Sequence, residues 1–263
     1  MKLADPANLL ATHSRELTLW HLYATRRGRS MTHAFDKDYW EHHWDDRTSH
    51  TVAANPYLVE ETAGSTPGTA LDAGCGAGAE AIWLAGQGWR VTGADISAAA
   101  LATAAQQAEG AGIDVTWIEA DLTTWSPDER WDLVMTHYAH PSIPQLDFYR
   151  HIAQWVAPGG SLLIVGHLHD GGHHHSHGDD EQPPHEATVT AKDITALFDA
   201  SWRIDTAAER SRTVVGTGVH SKALRDAVVR VTRTTSHATT AGPDSAGPER
   251  NDGVGSGESF RPT

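Results

Sequence analysis

Between about residues 65 and 165 the chain alternates short apolar runs with longer stretches whose apolar positions recur at helical spacing. The runs Thr69–Asp72, Arg90–Asp95, Asp114–Ala120, Asp132–Thr136 and Ser161–Val165 are four to seven residues long, as expected of strands buried on both faces. Between them, Ala79–Gln87 reads as a helix stopped at Gly88, the usual place for a left-handed cap. Ser97 reads as the N-cap of an Ala-rich helix reaching Glu109. Leu146, Tyr149, Ala153 and Val156 share one helical face, which predicts a helix over about 144–157. Strand and helix in alternation imply an α/β domain around a parallel sheet. Upstream, Trp40 and Trp44 lie four apart on one face. Asn55-Pro56 opens a further helix and Gly64 ends it, so residues 35–64 are predicted to form a helical lid. Downstream, Thr190-x-x-Asp193 has the form of a capping box and predicts a helix through Phe198.

The turn after the first strand carries the chemistry. An apolar run ends at Asp72 and passes through Gly74, Gly76 and Gly78 into a helical pattern, and the next strand ends at Asp95. That is the layout of a nucleoside-binding crevice at the carboxyl ends of parallel strands. Glycines there let backbone approach a ligand closely, and an acidic strand end suits the two hydroxyls of a ribose. Gly74-x-Gly76-x-x-Ala79 also fits the loose dinucleotide pattern, so an NAD(P)-dependent oxidoreductase stays open on spacing alone. A dinucleotide, however, rests its pyrophosphate on the helix N-terminus. Here Asp72 and Glu80 flank that point, and both would repel phosphate. The same carboxylates suit a ligand with a cationic amino-acid end, of which S-adenosylmethionine is an example.

Asp72-Ala-Gly-Cys-Gly-Ala-Gly78 resembles the first motif of the class I S-adenosylmethionine-dependent methyltransferases. Glu119-Ala-Asp121-Leu122, Trp131–Thr136 and Pro158-Gly159-Gly160 resemble that family's third strand, fourth strand and the turn opening the fifth. The likeness runs over about residues 35–232. It implies a Rossmann-like doubly wound sheet of seven strands, mostly parallel with the last antiparallel, the final strands lying near 202–209 and 224–232. It further implies S-adenosylmethionine as cofactor. Asp72, Gly74, Cys75, Gly76 and Gly78 would form its cradle, Asp95 would take the ribose, and Ile96 would lie against the adenine. Asp121 and Leu122 would meet the adenine as well, and Thr136 ends the fourth strand beside the site. The compact core is similar to short bacterial enzymes of the tellurite-resistance and thiopurine types, which implies a small-molecule acceptor. No Asn-Pro-Pro-Tyr motif follows strand four, where Thr136-His137-Tyr138-Ala-His140-Pro stands instead.

Histidine titrates in the range useful for taking an acceptor's proton. His137 and His140 follow strand four, and His167 lies just past the expected end of strand five, so these three are the candidate catalytic residues. A second histidine-rich feature spans 166–189, where seven histidines and four carboxylates fall between Gly166 and His185. Its spacing fits no specific zinc signature, and its glycines favour an open loop. Adventitious divalent metal binding is the expectation there. A metal-handling protein built on a methyltransferase fold is the non-enzymatic alternative.

Composition narrows the partners. A net charge of −14 over 263 residues argues against nucleic acid. The single cysteine, Cys75, permits no disulfide within the chain, as in a reducing compartment. No apolar run approaches the ~20 residues needed to cross a bilayer, so a cytoplasmic protein without membrane contact is expected. Residues 1–34 read as a poorly ordered extension with Met31 a second candidate start, 35–234 as the catalytic domain, and the Pro/Gly-rich 235–263 as a disordered tail.

Overall fold

The computed structural model describes residues 35–45, 53–168, 188–215 and 221–235. The expected extension 1–34, residues 169–187 of the histidine-rich segment and the tail beyond 235 lie outside the described residues. Two helices, α1 (Lys37–Asp45) and α2 (Pro56–Thr62), come first. Then follow β1 (Thr69–Ala73), α3 (Ala79–Gly86), β2 (Arg90–Asp95), α4 (Ala98–Ala111), β3 (Thr116–Glu119) and β4 (Trp131–His137). The second half holds α5 (Gln145–Ile152), β5 (Val156–Leu168), β6 (Thr188–Val189), α6 (Ala191–Thr195), β7 (Trp202–Val215) and β8 (Ser221–Arg233). The main sheet runs β3-β2-β1-β4-β5-β8-β7. The first five strands of that path are mutually parallel, and β8 is antiparallel to both its neighbours. The doubly wound sheet with an antiparallel last strand is therefore present. An eighth, two-residue strand, β6, pairs with the tip of β5 and was not anticipated.

Side-chain alternation on the central strands explains the two-sided core. Leu133 and Met135 of β4, with Leu163 and Val165 of β5, face α2 and α3, where Tyr57, Leu58, Ala81 and Leu84 bury themselves. Val134, Leu162 and Ile164 point the other way, onto Phe148, Tyr149 and Ile152 of α5 and Ile194 of α6. Such doubly buried strands need a near-continuous apolar run, the signal that made them readable. The caps follow sequence too. Asn55 Oδ1 accepts from Tyr57 N, Ser97 Oγ from Ala100 N, and Thr190 Oγ1 from Asp193 N.

Several expected bounds are corrected. β5 begins at Val156 and runs to Leu168, so His167 lies within a strand rather than past it, and 166–168 and 188–189 belong to the sheet instead of the loop. The helix expected over 144–157 ends at Ile152, followed by a 3-10 turn, Ala153–Trp155, because β5 already starts at Val156. The helix begun at Thr190 stops at Thr195, short of Phe198. β3 is shorter than the run Asp114–Ala120, and β7 and β8 form a longer hairpin than expected.

The strand order steps outward from β1 in both directions, toward β2 and toward β4. A crevice therefore opens at the carboxyl ends of β1 and β4, the switch point where open α/β sheets bind ligands.

Candidate active site

Asp72 ends the apolar part of β1 at the floor of that crevice. The chain then turns through Gly74 and Gly76, with φ of 80° and 50°, a left-handed conformation costly for any residue with a Cβ. Close packing adds a second reason. A Cβ at Gly74 would lie 2.5 Å from that of Ala139, and one at Gly76 2.8 Å from Trp44 Cζ2. Gly74 N and Cys75 N donate to Ala94 O at 2.8 and 3.2 Å, tying the turn to β2. Asp95, at the end of β2, locks it from the side: its Oδ2 accepts from Gly76 N at 2.8 Å and its Oδ1 from Ser97 N at 3.0 Å.

A cavity of about 310 Å³ fills the crevice. Of the residues expected to hold a cofactor, Asp72, Gly74, Cys75, Gly76, Gly78, Asp95, Ile96, Asp121 and Leu122 line it, as do His137 and His140. Two expected residues do not. Thr136 is buried behind the wall with its Oγ1 unpartnered. His167 stands one layer back, its ring 4.6 Å from Tyr138 and 5.4 Å from His140, the latter pair stacked.

The electrostatics of the two ends differ. Asp72 is 1% exposed and its Oδ2 has no hydrogen-bond partner. Burial first, then the neighbouring carboxylates of Glu80 and Asp95, push its carboxyl well above the ordinary range. Burial also raises Asp95, against the backbone amides it accepts from. At the β4 end, burial lowers His137, and neither ring nitrogen has a partner. Burial and then His167 lower His140 to about 4, with Gln145 opposing. Its Nδ1 is likewise unpartnered. Both imidazoles are therefore neutral at neutral pH.

Three features of the site carry no local sequence signal. Glu41 of α1 reaches across to the N-terminus of α4, accepting from Ala98 N, Ala99 N and Ser97 Oγ at 2.9, 3.2 and 3.0 Å. Together with the Lys37–Glu119 ion pair and Trp40 Nε1 donating to His140 O, it fixes the lid over the cavity. Tyr138, among the described residues the one non-glycine with positive φ (55°), is gripped through its hydroxyl by Arg212 at 3.0 Å and Asn55 at 3.3 Å. Arg212 in turn pairs with the wholly buried Asp226 at 3.0 Å. Among the described residues no cluster of three or more histidine, cysteine or acidic side chains could hold a metal ion, and no helix is long and apolar enough to cross a membrane.

Comparison with known proteins agrees with this geometry. Residues 70–160 match the model of a methyltransferase domain family. Ribosomal RNA small subunit methyltransferase C of Alcanivorax borkumensis is 34% identical over 106 residues, which are 38% of this chain and 32% of that protein. Thiocyanate methyltransferase 1 of Brassica oleracea is 27% identical over 57% of this chain and 68% of its own length. The chain thus spans about a third of the first relative and two thirds of the second. A solved structure described as converting a disulfide bond into a thioacetal group during echinomycin biosynthesis shares the fold. It has a TM-score of 0.58 and 23% identity over 77% of this chain and 94% of its own. In sheet order, glycine turn and matched domain, the chain is similar to the class I S-adenosylmethionine-dependent methyltransferases.

Proposed function

We propose that this chain transfers a methyl group from S-adenosylmethionine to a small-molecule acceptor by in-line displacement. One observation carries the reading: Asp72, buried and with an unpartnered carboxylate oxygen, stands beside the glycine turn in the crevice of a methyltransferase domain. A buried carboxylate in that state calls for a cation. A ligand bearing an ammonium and a sulfonium supplies one, whereas a pyrophosphate would meet Asp72 and Glu80 with like charge. The metal-handling alternative draws no support from the described residues.

Bound S-adenosylmethionine presents an electrophilic methyl, so the acceptor's lone pair forms the new bond while the carbon–sulfur electron pair returns to sulfur. The protein's own task is alignment and proton handling. Asp72, Gly74 and Gly76 hold the methionyl end, with Cys75 and Gly78 shaping the turn. Asp95 takes the ribose, while Ile96, Asp121 and Leu122 bracket the adenine. Thr136 supports the fourth-strand end from behind the wall. His137 and His140 orient the acceptor and receive its proton, and His167 braces His140 by ring stacking. The relative named for thiocyanate accords with a small acceptor.

Isothermal calorimetry of the full chain against S-adenosylmethionine, with NADH and Zn²⁺ as parallel titrants, tests the reading. Saturable, one-to-one binding of S-adenosylmethionine alone is expected. Asp95→Ala should weaken it by about 1–3 kcal/mol, because it removes charged acceptors. Binding of NADH in its place would overturn the assignment.

A further inference from the structure

We propose that the aromatic part of the cavity selects an uncharged planar ring carrying a hydroxyl or a ring nitrogen and disfavours carboxylate-bearing acceptors. This inference rests on the methyltransferase reading, and it names the substrate class of the same site.

The cavity lining is of two chemical kinds, acidic and aromatic. Its charged lining residues are Asp72, Asp95 and Asp121, at or just after the ends of β1, β2 and β3, and Glu80 in the first turn of α3. Around the end of β4, with α1 and α5, the lining is aromatic: Phe35, Trp40, His140 and Phe148. Three of these rings pack on one another, two pairs stacked and one tilted. Phe35 and Trp40 lie 6.0 Å apart at 22°, Trp40 and His140 6.4 Å apart at 23°, and Phe35 and His140 5.4 Å apart at 37°. Flat walls of this kind favour a flat guest, which gains offset-stacked or edge contacts along with its buried apolar area.

The polar groups in this part point the same way. His137, with both ring nitrogens buried and unpartnered, and His140, with Nδ1 in the same state, line the cavity and lack a protein partner. Burial keeps both rings neutral, so each carries one donor and one acceptor nitrogen and no charge. A hydroxyl can both donate to and accept from such a pair, and a ring nitrogen can accept. A carboxylate there would lose its hydration, meet no side-chain cation and share the cavity with the acidic side chains of Asp72, Glu80, Asp95 and Asp121. Among the described residues no lysine or arginine lines the cavity. The guanidinium behind Tyr138, that of Arg212, is already held by Asp226 and by the Tyr138 hydroxyl and lies over the Tyr138 ring.

Three probes of one ring size separate the outcomes: 2-naphthol, isoquinoline and 2-naphthoate. Each is titrated calorimetrically into the full chain, first alone and then after saturation with S-adenosylhomocysteine. 2-Naphthol and isoquinoline should bind at least ten-fold more tightly than 2-naphthoate. Trp40→Leu should weaken 2-naphthol several-fold more than it weakens S-adenosylhomocysteine. Equal or tighter binding of 2-naphthoate, or no saturable binding of either neutral probe, would overturn the inference. Failure of S-adenosylhomocysteine itself would instead strike at the methyltransferase reading. The probe preference measured on the chain alone still decides the acceptor class in that case.

Discussion

Asp72 is held in the fold as a carboxyl that resists ionisation, since burial and the nearby Glu80 and Asp95 raise its pKa. A cation placed against it favours the ionised form, so cofactor binding should expel a proton from Asp72. Affinity should then rise with pH across the interval between the ordinary carboxylate value and the raised one. Calorimetry in buffers of different ionisation enthalpy reads this directly, with a proton released by the native chain and none by Asp72→Asn. Stability gives the complementary reading. A raised acid pKa contributes stability that is present at low pH and lost as pH rises through the folded value. Asp72→Asn removes that loss and should raise the ligand-free melting temperature at pH 8 by roughly 2–4 °C, the shift for about 1 kcal/mol in a domain of this size. His140 has the opposite sign, because its folded value of about 4 lies below its ordinary one. The unfolded chain takes up the proton first, so stability falls as pH drops from about 6.5 toward 4, by up to about 3 kcal/mol. Urea melts at pH 7 and pH 4.5 should show a smaller acid loss in His140→Asn than in the native chain. Identical losses would mean that the ring is solvated.

At the scale of elements, the legible parts were those whose signal is local. The ends of β1, β2 and β4 could be read because an apolar run stops at Asp72, Asp95 or Thr136, and the caps at Asn55, Ser97 and Thr190 announce themselves within three residues. The lid's attachment could not be read, because Glu41 meets its partners 56 to 58 residues away. Nothing near Glu41 distinguishes it from any exposed acid on a helix. Nor could the reach of β5, whose last residues pair with β6 and β8 rather than follow an apolar run. Glu41 nonetheless governs α1. Burial opposes its ionisation, yet the Ala98 and Ala99 amides, Ser97 and Lys37 together hold its pKa below the ordinary value. That contribution is present above the ordinary pKa and is lost as pH falls through the lowered one, so the lid should loosen in acid. Glu41→Ala removes a capping carboxylate worth about 1 kcal/mol. Amide exchange in residues 37–45 should then quicken several-fold, with exchange in β4 and β5 unchanged. Unaltered exchange in α1 would show that its aromatic contacts alone hold it down.

At the scale of the whole molecule, the β7–β8 hairpin buttresses the candidate site from residues distant in sequence. β8 inserts between β5 and β7 and places Asp226 opposite His167, while β7 brings Arg212 to Tyr138 across 74 residues of sequence. The grip on the Tyr138 hydroxyl holds a backbone turn that sets where His137 and His140 point, and its left-handed φ would otherwise relax. One ion pair thus links the hairpin to the Tyr138 turn, and mutation tests whether it serves the fold alone or the proposed acceptor site as well. Arg212→Met leaves Asp226 fully buried without its guanidinium partner, which should destabilise the protein by about 3 kcal/mol. Adding Asp226→Leu removes the stranded carboxyl and should recover most of that loss, since an apolar pair can replace a buried ion pair at little cost. The double variant still lacks the anchor on Tyr138, so its KM for the acceptor should stay raised several-fold while its Kd for S-adenosylmethionine matches the native chain. Denaturant melts and steady-state kinetics on the two variants decide the matter. Recovery of KM along with stability would reduce the pair to a purely structural contact, whereas recovery of stability alone assigns the hairpin a part in positioning the acceptor.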